Sequence, residues 1–119
     1  MRVRDPKHPV TARVADFDLD DEVYDGLHVI PEARVLAECE FPLKATDTQT
    51  PPATKTIPQM WALEKDSYRA FTWIQGLRVK TFSVPQYRAL LLRGIAWAGK
   101  RTEANELCTQ EELKLLSQR

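Results

Sequence analysis

Residues 14–19 alternate apolar with acidic side chains, Phe17 and Leu19 against Asp16, Asp18 and Asp20, which is the two-residue period of a half-buried strand. A second extended run, 22–30, stops at Pro31. A third, 33–39, sets Val35 beside Leu36 with little polar alternation, as a strand covered on both faces would. Residues 57–64 and 69–74 flank Lys65-Asp66-Ser67-Tyr68 and predict two antiparallel strands joined by a short turn. Ahead of them, 42–56 is rich in Thr, Pro and Ala, and Pro51-Pro52 removes two backbone donors, so a surface loop is expected. The period then changes. Over 85–98, Tyr87, Leu90, Leu91, Ile95, Trp97 and Ala98 spread a broad apolar face at helical spacing, with Ser83 as the cap, Pro85 in the first turn and Gly99 as the stop. A further helix starts at Thr109, where Thr109-Gln110-Glu111-Glu112 has the spacing of a capping box. Its stripe of Leu113 and Leu116 is narrow, so loose packing is expected.

Composition adds limits. A chain of 119 residues with 43% hydrophobic and 29% charged positions is a folded globular domain rather than a disordered one. Seventeen basic residues balance seventeen acidic ones, which gives no net field to draw in nucleic acid or an anionic membrane. Cys39 and Cys108 have neither the spacing of a zinc site nor that of a disulfide framework, which suits a reducing compartment. No apolar run is long enough to span a bilayer and Met1-Arg2-Val3-Arg4-Asp5 lacks a signal-peptide core, so a cytoplasmic protein is expected.

The polar residues near the N-terminus hold the candidate chemistry. Asp16, Asp18 and Asp20 occupy the first, third and fifth positions of a calcium loop. The loop's sixth and twelfth positions, which need glycine and a bidentate glutamate, hold Asp21 and Leu27, so no metal site is expected. His8 titrates near neutral pH and can act as a base or polar anchor, with Glu22 to orient it or act in its place. Tyr24 offers a hydroxyl on an apolar ring, and Trp61 a flat face of the kind that stacks on sugars. His28, inside an extended run, is a weaker candidate. The chain has no glycine-rich phosphate loop, no Gly-x-Ser-x-Gly elbow and no Cys/His/Glu set, so no nucleophile and no cofactor can be named.

Taken in order, His8-Pro9-Val10-Thr11, Asp16-Phe17, Asp21-Glu22-Val23-Tyr24 and Ala33-Arg34-Val35-Leu36-Ala37 resemble the second half of the ThuA-like (trehalose utilisation) family. Pro58-Gln59-Met60-Trp61, Arg69-Ala70-Phe71-Thr72 and the run from Tyr87 to Ala98 are similar to that family's closing strand pair and last helix. The resemblance implies an α/β, flavodoxin-like layered sheet related to class I glutamine amidotransferases, without a dependable amidotransferase triad, and a link to sugar utilisation. It implies that His8, Asp21, Glu22 and Tyr24 border a polar cleft with Trp61 nearby, and that a sugar is the ligand. Where the family carries a Gly-His pair after the closing strand, this chain has Gly76-Leu77, and leucine cannot orient a polar substrate.

The expectation is therefore a partial flavodoxin-like layer over 1–99, its N-terminal half absent and its catalysis impaired, followed by a helical arm over 100–119. The alternative is a non-enzymatic interaction or oligomerisation module that buries the apolar face of residues 85–98 against a second copy or a partner chain.

Overall fold

The computed structural model describes residues 1–42 and 54–118. Four strands, β1 (Arg2–Val3), β2 (Arg34–Pro42), β3 (Thr54–Lys65) and β4 (Tyr68–Trp73), form one sheet in the order β1-β2-β3-β4. Every pairing is antiparallel. A 3-10 turn (Val79–Ser83) leads into α1 (Pro85–Ala98), and α2 (Gln110–Leu115) follows. The fold is mixed α/β, a sheet covered by a helix, consistent with a partial flavodoxin-like layer. The expected loop at 42–56 falls largely at 43–53, outside the described residues.

The predicted antiparallel hairpin is present as β3-β4, with Lys65 opposite Tyr68 and Met60 opposite Trp73. Its two-residue turn contains no left-handed residue. The Lys100 ammonium, just past α1, donates to the Ser67 carbonyl at 2.6 Å and ties the turn down. β2 carries a bulge around Leu36, which lets Leu36 and Ala37 both be buried although they are neighbours in sequence.

The core lies between sheet and helix: Leu36, Ala37, Met60 and Ala62 from the strands meet Ala89, Leu90 and Trp97 of α1. Gly94 sits where a Cβ would come 2.2 Å from the Phe71 ring of β4, so the absence of a side chain allows helix and sheet to approach. Much of this face is covered by the chain's own sheet. Tyr87, Ala89, Leu90, Ala96 and Trp97 are buried by the chain itself, and Ile95, counted with the apolar face, is 52% exposed.

The stretches 14–19 and 22–30 are not strands. The alternation at 14–19 is real, since Phe17 is buried and Asp18 and Asp20 are exposed. Its backbone, however, is held by scattered partners: Phe17 N–H donates to the Met1 carbonyl at 3.2 Å and Ala15 N–H to Leu116 at 2.9 Å. A two-residue period reports which side meets water; a strand also needs a neighbour running alongside.

The helix ends differ from expectation too. Val84, not Ser83, occupies the N-cap of α1 and no side chain caps it, while Pro85 starts the helix as predicted. Gly99 is the C-cap, ending the helix as predicted, though the left-handed residue is the next one, Lys100, at φ 56°. At α2 the capping box is present in full, with Glu112 N–H donating to Thr109 Oγ1 at 3.2 Å and Thr109 N–H to Glu112 Oε2 at 2.9 Å. The stripe that follows does not pack loosely: Leu116 is 1% exposed and belongs to the core.

Candidate functional site

Asp21, Glu22 and Tyr24 lie together on a segment that passes the open end of the β3-β4 hairpin, beside Gln59, Gln75 and Gly76. Asp21 Oδ2 accepts from the Thr81 hydroxyl at 2.6 Å and from Gly76 N–H at 2.9 Å, and Oδ1 accepts from Glu22 N–H at 2.8 Å. Burial pushes the Asp21 carboxyl up, but the hydrogen bonds from Thr81 and from backbone N–H groups outweigh it and hold the carboxyl below its usual range. Tyr24 donates to Glu22 Oε2 at 3.0 Å, and both are exposed. That bond to Glu22 raises the Tyr24 phenol above its ordinary value.

Beneath them runs a buried amide chain that the sequence did not disclose. The Gln59 side-chain amide donates to the Tyr24 carbonyl at 3.0 Å, the Gln75 amide donates to Gln59 Oε1, Trp73 Nε1 donates to Gln75 Oε1 at 2.8 Å, and the Tyr87 hydroxyl donates to the Gln75 carbonyl at 3.0 Å. Gln59, Gln75 and Thr81 are buried, so these bonds satisfy groups that water cannot reach. Asp21 thus anchors the segment, and Glu22 and Tyr24 form its exposed rim.

His8 is elsewhere. It is buried at 6% exposure, and its ring meets Trp97 edge-on at 4.8 Å, beside Ala62 on the helix-covered face of the sheet. Trp61 is the next residue along β3 before Ala62 and so points to the opposite face, between Val35 and Thr72. The structure therefore does not gather His8, Trp61 and the acidic segment into one cleft.

What His8 does join is a groove at the end of the hairpin. Val10 N–H donates to His8 Nδ1 at 3.3 Å, which assigns the proton of the neutral ring to Nε2, and Nε2 has no partner among the described residues. Burial, helped by the Arg34 charge, lowers the His8 pKa, so the ring is neutral at pH 7 and Nε2–H is a donor. Glu64 and Arg69, directly opposed across β3 and β4, form an ion pair at 2.6 Å, and the Arg69 guanidinium lies 5.1 Å from the Trp97 ring centroid. Glu64 and Trp97 line both a hollow of about 190 Å³ shared with His8, Glu32 and Arg34 and one of about 420 Å³ shared with Arg69, Lys100 and Arg101.

Such a groove offers carboxylates that accept from hydroxyl groups, guanidinium and imidazole N–H groups that donate, and an indole edge, at a size suited to a small polar ligand. The sequence marks Trp97 as part of the apolar helix face and gives Glu64, Arg69 and Arg34 no chemical role. The one available signal was charge: Glu64 and Arg69 stand at matched positions about a two-residue turn. Among the described residues no group of three His, Cys, Asp or Glu side chains is placed to hold a metal ion, and no helix is long and apolar enough to cross a membrane.

The family model described as ThuA, trehalose utilisation, matches residues 1–98. No curated protein and no solved structure matches the chain.

Proposed function

Since the chain belongs to the ThuA (trehalose utilisation) family, we propose that it serves carbohydrate utilisation by holding a disaccharide or keto-sugar in the groove between His8, Glu64 and Trp97. The observation that carries this reading is the unpartnered Nε2–H of a neutral, buried His8 beside the Glu64–Arg69 ion pair. A sugar presents hydroxyl groups that both donate and accept, and the groove supplies both complements. A keto oxygen adds a pure acceptor, for which Nε2–H and the Arg69 guanidinium are the matching donors.

In this reading Asp21 is a positioning residue, holding the Gly76–Thr81 connection in place, and Glu22 and Tyr24 are a second polar rim across the sheet end. Leu77, where the family resemblance leads one to expect a histidine, is 61% exposed and contributes no polar group. The proposed role is therefore binding, and no residue is assigned the part of nucleophile.

The experiment is a ligand-induced melting shift with trehalose, other disaccharides and their keto forms, followed by titration of the best responder. A saturable rise in Tm that Glu64→Gln reduces at least tenfold in affinity, and Glu22→Gln leaves alone, is the expected result. Silence across the panel from folded protein overturns the sugar reading. Loss on Glu22→Gln with Glu64→Gln unaffected overturns the placement.

A further inference from the structure

Arg93 of α1 occupies a helix position that its neighbours Leu90 and Trp97 mark as core-facing, and it is 6% exposed. Its guanidinium is pinned by neutral oxygens: Nη1 donates to the carbonyls of Val10 at 3.1 Å and Ala12 at 2.8 Å, and Nε donates to Asn105 Oδ1 at 2.7 Å. Those bonds go to neutral acceptors and leave the charge uncompensated. Nη2 makes no hydrogen bond among the described residues, and Arg93 pairs with no carboxylate there.

Arg13 stands beside it and is in the same condition, without an ion pair or side-chain hydrogen bond among the described residues. Every other arginine among them is paired with an aspartate or glutamate. The two exceptions line one hollow of about 330 Å³, together with Asn105, Ser117, Leu113 and Leu116, and no acidic side chain is in that lining. An unpaired buried guanidinium is costly, and chains usually offset it with a carboxylate. Here the counter-charge is missing at the place where a second guanidinium, a hydroxyl and an amide converge.

We propose that this hollow binds a small oxyanion, a carboxylate or phosphate head group, held by the Arg93 and Arg13 guanidiniums with Ser117 and Asn105 at its edge. The planar fork of arginine matches two oxygens of either head group. Leu113 and Leu116 give the hollow an apolar side, which suits an anion with an organic body better than a bare halide. The hollow shares no lining residue with the His8 groove, so the inference stands apart from the sugar reading.

The test uses the full chain in NMR titrations that follow arginine Nε–H and the Ser117 amide, with inorganic phosphate and acetate in separate arms against chloride at equal ionic strength. Saturable shifts at Arg13, Arg93 and Ser117 with phosphate or acetate are expected, and the arm that saturates first identifies the head group. Arg13→Asn suits the left-handed backbone at that position, where φ is 60°, and removes the exposed charge. It should weaken the oxyanion at least tenfold with Tm unchanged. Arg93→Lys should weaken it further by losing the fork; should that variant not fold, Arg13→Asn alone decides. Equal shifts with chloride, no shift with either oxyanion, or unaltered affinity in Arg13→Asn overturns the proposal.

Discussion

The Asp21 carboxylate accepts the Thr81 hydroxyl at 2.6 Å across a sequence separation of 60 residues, fastening the N-terminal strip to the connection that enters α1. Removing it strands a hydroxyl that is 1% exposed. Asp21→Ala should therefore cost about 1–3 kcal/mol of unfolding free energy by urea denaturation, the penalty of an unsatisfied buried polar group. Thr81→Val removes the donor and should cost less than Asp21→Ala, because Gly76 N–H keeps its acceptor.

Acid should loosen the same contacts. Hydrogen bonding keeps Asp21 below its ordinary value of 3.8 despite burial, and the Thr109 N–H, with Arg88, keeps Glu112 below 4.5. A carboxyl depressed in the folded state contributes stability that is present above its unfolded pKa and is lost as pH falls through the folded value. Stability should thus decline as pH drops below about 4.5. Asp21→Asn should flatten the lower part of that decline, and a melting series from pH 6 to pH 2 in wild type and variant checks it.

His8 gives a second titration of the same sign, at higher pH. Burial and the Arg34 charge lower its pKa from 6.5, so the unfolded chain binds the proton first. The His8 contribution is complete above pH 6.5 and shrinks as pH falls from there to the folded pKa, below which it falls no further. The ring resonances should titrate with a midpoint below 6.5 and show the Nε2–H tautomer at neutral pH. A midpoint above 6.5 would contradict the burial that places His8 against Trp97.

Gly94 and Phe71 should be coupled. Alanine in a helix interior gains about 1 kcal/mol over glycine by propensity, whereas forcing extra atoms into packed space costs about 1–3 kcal/mol. With the added Cβ only 2.2 Å from the Phe71 ring, the steric cost wins and Gly94→Ala should destabilise. In a Phe71→Leu background the same change should cost less or become neutral, a difference that a double-mutant cycle measures.

Capping carries α2. A helix of six residues has no stability of its own, and its closing residue Leu116 is core. Thr109→Ala should cost about 1 kcal/mol and Thr109→Ser about none, read by thermal melting.

Much of this architecture was legible because it is local. The capping box at Thr109 depends on four consecutive residues, the helix over 85–98 on a repeat of side chains along its own axis, and the β3-β4 hairpin on two apolar runs close in sequence. The family resemblance, likewise, rests on ordered short motifs, and the family match covers the same stretch. The candidate site was legible only in pieces. Asp21, Glu22 and Tyr24 are neighbours in sequence and remained neighbours, but His8 and Trp61 parted because consecutive positions on β3 face opposite sides of the sheet.

Thus the sequence by itself determined where the helices and the closing hairpin lie and which residues could do chemistry. Tertiary structure alone decided that 14–19 finds no strand to pair with, that Gln59 and Gln75 satisfy each other in the interior, and that Arg13 and Arg93 share one hollow. The physical reason is that periodicity records the preference of each residue for water or core. The partner of a backbone N–H or a buried charge is set by chain segments tens of residues away, whose approach no local pattern encodes.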